Sequence, residues 1–175
     1  GMEKPKAARL RVQAIDPEIK VIARHQFFGP DTKAEFDFSK YTYVVDAIDT
    51  VTAKIDLAVR MEQMGIPLIS CMGTGNKLNP AMLEVADIYK TSVCPLAKVM
   101  RRELKKRGVD KLKVVYSEEK PLIPRSITES EQAMDSLDNA REGSPRRQTP
   151  GSNAFVPSVV GLIIAGEVIK DLTAW

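Results

Sequence analysis

The sequence predicts an α/β fold: a mostly parallel sheet with flanking helices. Three observations predict it. Tyr41 to Asp46 and Pro67 to Cys71 are short, almost wholly apolar runs, the signature of strands buried on both faces. Between them, Thr50 to Met64 carries apolar residues at helical spacing. With Lys20 to Phe28 read as a further strand, strand and helix alternate from residue 20 to 71, the order of a parallel sheet with crossover helices.

The remaining elements follow in order. Lys4 to Ile15 reads as a helix, with Ala7, Leu10 and Ala14 on one side and Pro5 in its first turn. Lys20 to Phe28 is expected to be a strand closed by the turn Gly29-Pro30-Asp31. In the helix from Thr50, the residues Ala53, Leu57, Val59, Met61 and Met64 would face inward, Asp49 or Thr50 would cap the start, and Gly65 would stop it. Gly73-Thr74-Gly75-Asn76 is a loop. Glu84 to Ile88 alternates weakly and suits an antiparallel strand. Pro95 to Arg107 is a helix ending at Gly108, and Lys111 to Tyr116 alternates as a strand with Leu112, Val114 and Tyr116 on one face. Val156 to Leu172 is apolar on nearly every side, which places it in the core or at a subunit contact. Residues 118 to 153, rich in Ser, Glu, Pro, Arg and Gln, read as a long mobile loop.

The totals bound the function. A chain of 175 residues suits a single domain, and its net charge of +3 permits a nucleic-acid partner without arguing for one. Two cysteines, Cys71 and Cys94, with no Cys-x-x-Cys pair, speak against a structural zinc site and for a reducing, cytoplasmic setting. The longest apolar stretch, from Val156 to Ile169, is too short to span a bilayer, so no membrane segment is expected.

The candidate site residues are few. Asp46 and Asp49 follow the carboxyl end of a predicted strand, where open parallel sheets bind ligands. A carboxylate there can hold Mg²⁺ that carries nucleotide phosphates. The plainer account, in which Asp49 caps the next helix and Asp46 bonds a backbone amide, explains the spacing better on its own. Gly73-Thr74-Gly75 is neither a GxGxxG nor a P-loop, and no phosphate-binding glycine fingerprint occurs in the chain. Cys94 precedes a helix, where a thiol can be activated, but a packed cysteine is the better account; Cys71 lies in an apolar strand. His25, the single histidine, falls mid-strand and has little claim to general-base chemistry. Lys98, Arg101, Arg102, Lys105, Lys106 and Arg107 crowd one helix, as either a solvated face or a surface that tracks RNA phosphates.

These residues carry a resemblance. "GMEKPKAARLRVQAIDP" resembles the Gly-x-x-Lys helix of the ThiF/MoeB/HesA superfamily of ubiquitin-activating-like adenylating enzymes, with Asp16 where Asn is usual. "VVDAIDTVTAK" resembles its strand-Asp-x-x-Asp-helix motif. "KLNPAMLEVADIYKTSVCPLAKVMRRELKKRG" and "KVVYSEEKPLIP" resemble the subgroup of tRNA threonylcarbamoyladenosine dehydratases, and "GSNAFVPSVVGLIIAGEVIKDL" the closing helix. The resemblance covers almost the whole chain but only the later part of the usual Rossmann-like domain.

What it implies is specific. Such enzymes use ATP and Mg²⁺ to adenylate a carboxylate, in this subgroup that of a threonylcarbamoyl group on a tRNA adenosine. By motif position Asp49 would be the acid at the metal and nucleotide, Lys4 would contact the ATP phosphates, and Asp46 would support the nucleotide site. A homodimer is implied as well. The family's first nucleotide-binding strand and Gly-rich loop have no counterpart here, so a fragment or truncated form with an incomplete ATP site is expected. The alternatives are an adenylyltransferase for a sulfur-carrier or ubiquitin-like protein, and a non-catalytic dimerisation remnant.

Overall fold

The computed structural model describes residues 1–123 and 150–175, which fall into two compact units, residues 1–40 and 41–175. Most of the predicted loop 118–153 therefore lies outside the described residues.

In the first unit, α1 (Lys4–Ile15) forms as expected, with Pro5 in its first turn and none of its residues buried. The strand expected over Lys20 to Phe28 does not form. Among the described residues that segment has no strand to pair with, and an unpaired strand leaves its backbone groups unsatisfied. Side chains hold it instead: Arg24 donates to the Glu35 carbonyl at 3.0 Å and Gln26 to the Glu35 carboxylate at 2.7 Å. Phe28 meets Phe36 edge-on at 5.2 Å, and Phe36 stacks with Phe38 at 6.2 Å. His25 is thus not mid-strand. It lies exposed, with Nδ1 3.0 Å from the Glu3 carboxylate.

The second unit is the α/β body. Its strands are β1 (Val44–Asp46), β2 (Leu68–Cys71), β3 (Leu83–Asp87) and β4 (Lys113–Ser117), in the order β1-β2-β4-β3. β1, β2 and β4 are parallel, and β3 runs antiparallel along β4. The mostly parallel sheet and the antiparallel strand both match expectation.

Helices α2 (Val51–Met64) and α3 (Pro95–Lys105) pack on one face of the sheet, and α4 (Val156–Thr173) on the other. The alternation of β4 sorts its side chains accordingly. Val114 and Tyr116 join Ile55, Ala58, Met100 and Leu104 on one face, while Val115 joins Ile69, Val160 and Ile164 on the other.

α2 stops where predicted, because Gly65 takes the left-handed conformation (φ 65°) that side-chain-bearing residues resist. Its inner face differs from the prediction. Met64 is exposed, and Lys54 and Ile55 are buried beside Ala53, Leu57, Ala58 and Met61.

α4 is buried on one side within this chain. Val156, Val160 and Ile164 are buried, while Leu162 is 73% and Ile169 62% exposed. Its last turns are pinned by charge. Lys113 reaches Asp171 at 2.7 Å and Glu167 at 2.9 Å, and the Tyr43 hydroxyl donates to Asp171 at 2.7 Å.

Bonds from Lys170 and Lys113 to Glu167, and from Lys113 and Tyr43 to Asp171, hold both carboxyls below their ordinary values of 4.5 and 3.8. A depressed carboxyl contributes stability above its unfolded pKa and loses it as pH falls through its folded pKa. Asp171→Asn is thus expected to lower the thermal midpoint at neutral pH, with the gap to the parent closing below pH 3.8. Melting curves across the acid range check this.

Candidate active site

The carboxyl ends of β1 and β2 lie side by side, with Asp46 in register with Ser70. That register places Ser70 Oγ 2.5 Å from Asp46 Oδ2, to which it donates. Lys54, one turn into α2, brings Nζ to 2.9 Å from the same oxygen, and both of these charged side chains are fully buried. The other oxygen, Oδ1, accepts the Ile48 amide at 2.9 Å. Asp46 is therefore neutralised by Lys54 and fixes the turn that follows it.

Asp49 sits at the end of that turn and is exposed. Thr50, one of the two residues expected to cap α2, holds the N-cap position, but its side chain makes no cap bond. Among the described residues the Asp49 carboxylate accepts one long hydrogen bond, 3.4 Å from the Thr50 hydroxyl. The two acids thus divide: one is locked in a buried ion pair, and the other presents its charge outward. Of the plainer account, the part that puts Asp46 on a backbone amide holds, and the part that makes Asp49 the helix cap does not.

Magnesium can be held by a single carboxylate when phosphates supply further oxygens, and Asp49 suits that pattern. No group of three or more potential metal ligands is gathered among the described residues, so a metal there would depend on its nucleotide. Lys4 lies exposed at the first position of α1, in the other unit.

The loop after β2 is closely packed. A Cβ on Gly75 would stand 2.7 Å from Pro150 Cβ, so only glycine lets the chain pass there. Asn76 takes a left-handed conformation (φ 58°); its amide donates to the Gly151 carbonyl at 2.8 Å, and its side chain accepts the Gly151 amide at 2.7 Å. Lys77 is buried, and its ammonium donates to the Glu119 carbonyl; burial lowers its pKa. The Glu119 carboxylate accepts the amides of Leu78 at 3.0 Å and Asn79 at 2.9 Å.

Cys94 precedes α3 but is buried in the core, as a packed cysteine should be. Burial pushes the Cys71 thiol up, away from the nucleophilic thiolate.

Sequence reasoning missed Lys54, Ser70 and Lys77. Lys54 left a trace, as a lysine inside the stripe formed with Leu57, Ala58 and Met61. A cavity of about 740 Å³ lies at the opposite, amino ends of the strands, between Tyr43, Pro67, Leu112 and Asp171. The acids, the Ser70 register and the strand polarity all favour the carboxyl ends as the site.

The sequence model of the ThiF family matches residues 1–175. The chain belongs to the ThiF family. The tRNA threonylcarbamoyladenosine dehydratase of Bacillus subtilis (strain 168) is 40% identical over 173 residues, covering 98% of this chain and 66% of that protein. The dehydratase of Escherichia coli (strain K12) is 29% identical over 188 residues, covering 99% and 68%. The crystal structure of the E. coli tRNA N6-threonylcarbamoyladenosine dehydratase, TcdA, in complex with AMP superposes with a TM-score of 0.79 at 26% identity, covering 99% of this chain and 65% of that one. A structure of the same enzyme in complex with ATP matches equally, with a TM-score of 0.79. The chain thus spans about two thirds of the length of the relatives it matches. No helix among the described residues is long and apolar enough to cross a membrane.

Proposed function

We propose that this ThiF-family chain serves the ATP-dependent dehydration of threonylcarbamoyladenosine in tRNA. The observation that carries the reading is the division of labour between Asp46 and Asp49 at the carboxyl ends of β1 and β2. Identity of 40% to a dehydratase supports the substrate, and the AMP and ATP complexes of the E. coli enzyme support the nucleotide.

The chemistry is carboxylate activation. An oxygen of the threonylcarbamoyl carboxylate attacks the α-phosphorus of ATP, and pyrophosphate leaves. An internal nucleophile of the same group then attacks the activated carbonyl carbon, the bond to AMP breaks, and a ring closes with net loss of water. Asp49 is the residue that would hold the Mg²⁺–nucleotide unit, and that ion would neutralise charge on the phosphates. Lys4 adds positive charge toward the departing pyrophosphate. Lys54 and Ser70 hold Asp46, and Asp46 holds the Ile48 amide, so that Asp49 meets the nucleotide in a fixed orientation.

The domain is taken to be a single one over 1–175, acting as a homodimer in which the outward Leu162, Ile169 and Leu172 of α4 offer apolar surface to a second copy. Exchange of labelled pyrophosphate into ATP, with these residues carried at the full length of their relatives, tests the adenylation step. Exchange that depends on tRNA bearing threonylcarbamoyladenosine is expected. Exchange that responds instead to the C-terminus of a ubiquitin-like protein would favour the sulfur-carrier alternative, and none at all the non-catalytic one.

A further inference from the structure

The cations of the chain are not evenly spread. From Pro95 to Lys113 there are eight lysines and arginines against two acids, an excess of six in a chain whose net charge is +3, so the remainder is acidic by three. Two of the eight have structural work. Arg101 donates to the Thr91 carbonyl at 2.9 Å and to its hydroxyl, and Lys113 holds Glu167 and Asp171.

The others form an outward stripe. Ala97, Met100 and Leu104 turn one side of α3 into the core, and Lys98, Arg102, Lys105 and Lys106 follow helical spacing on the opposite side. Glu103 gathers three cations: Arg102 at 3.0 Å, Lys106 at 3.1 Å and Arg107 at 2.8 Å, all well exposed. Those bonds, Arg107 first, hold its carboxyl down to about 2, so it stays a fixed anion at any working pH. One acid thus organises three cations and leaves two charges in excess. Lys98 and Lys105 form no ion pair among the described residues.

We propose that the outer face of α3, through Lys98, Arg102, Lys105, Lys106 and Arg107, is the surface on which the sugar–phosphate backbone of RNA docks. Lys98 and Lys106 are about 12 Å apart along the helix at ~1.5 Å per residue, a span of three to four phosphates at the ~3.4 Å spacing of a duplex strand. The helix also points correctly. Its N-terminus adjoins the carboxyl end of β2, where a Cβ built on Gly73 would meet Leu96 at 3.8 Å, and its C-terminus leads to the amino end of β4. A strand laid along α3 can therefore run to the candidate active site. Choosing tRNA as the RNA rests on the proposed function; the docking chemistry needs only a polyphosphate backbone.

The test is binding without catalysis. The full chain is titrated with labelled tRNA transcript, in the absence of ATP, from about 50 to about 200 mM salt. The parent chain is expected to lose affinity linearly in log[salt]. Lys98→Gln/Lys105→Gln leaves the Glu103 cluster intact and keeps good helix formers in place. It is expected to bind about tenfold more weakly at the low-salt end, with a slope shallower by about 1.5 to 2. The control Lys6→Gln/Lys20→Gln removes as much charge from the other unit and should leave the slope unchanged. Equal slopes for the two variants would overturn the proposal, as would absence of tRNA binding by the parent. So would a loss of binding by Lys98→Gln/Lys105→Gln that is seen only when phosphatidylserine–phosphatidylcholine vesicles replace the tRNA. Because no turnover is read, failure of the dehydratase reading leaves this result intact, and the reverse also holds.

Discussion

Replacing Lys54 by methionine is expected to destabilise the chain by about 3–5 kcal/mol, the usual cost of leaving one half of a buried ion pair without its partner. Lys54 and Asp46 are both fully buried, so water cannot substitute for the lost ammonium. The Asp46 carboxylate would keep Ser70 and the Ile48 amide but carry an uncompensated charge. Replacing both members, Asp46→Leu with Lys54→Met, should recover most of the loss, because a well-packed apolar pair avoids the desolvation of two ions. Urea unfolding separates the cases: the single variant shifts the midpoint strongly at nearly constant slope, and the double variant shifts it far less. A single variant within about 1 kcal/mol of the parent would show that the pair contributes little beyond a surface bridge.

Asp49→Ala is expected to do the opposite, sparing the fold and removing the function. The side chain is exposed and its one hydrogen bond is long, so stability should change by no more than about 0.5 kcal/mol. Product formation should fall about a hundredfold or more, the range found when a group that stabilises developing charge is deleted. Asp49→Asn keeps the shape and loses the charge, so it should resemble alanine if charge is what matters. Turnover within about twofold of the parent would remove Asp49 from the active site.

Much of the body could be read from the sequence. β1, β2 and the antiparallel β3 announced themselves through apolar runs and alternation, and Gly65 marked the end of α2. The failures have physical causes. Lys20 to Phe28 has strand-like local composition, but a strand needs a partner, and pairing is not a local property. In α2, Met64 was placed inward and Ile55 was not, because composition does not say which face meets the sheet.

At the site, the acids were legible as a spacing, but their different fates were not. Only the register of β1 on β2 sets Ser70 against Asp46, and only the packing of α2 folds Lys54 inward. Gly73-Thr74-Gly75-Asn76 was legible as a loop. Its actual task, admitting Pro150 and holding Gly151, depends on residues about 75 positions away, beyond any local pattern.

The most direct measurement is the mass of the modified nucleoside after ATP, Mg²⁺ and tRNA bearing threonylcarbamoyladenosine meet these residues carried at the full length of the relatives they match, of which the chain spans about two thirds. The account predicts loss of one water from that nucleoside, dependent on ATP and abolished by Asp49→Ala. An unchanged mass, with ATP present and the chain folded, would contradict it.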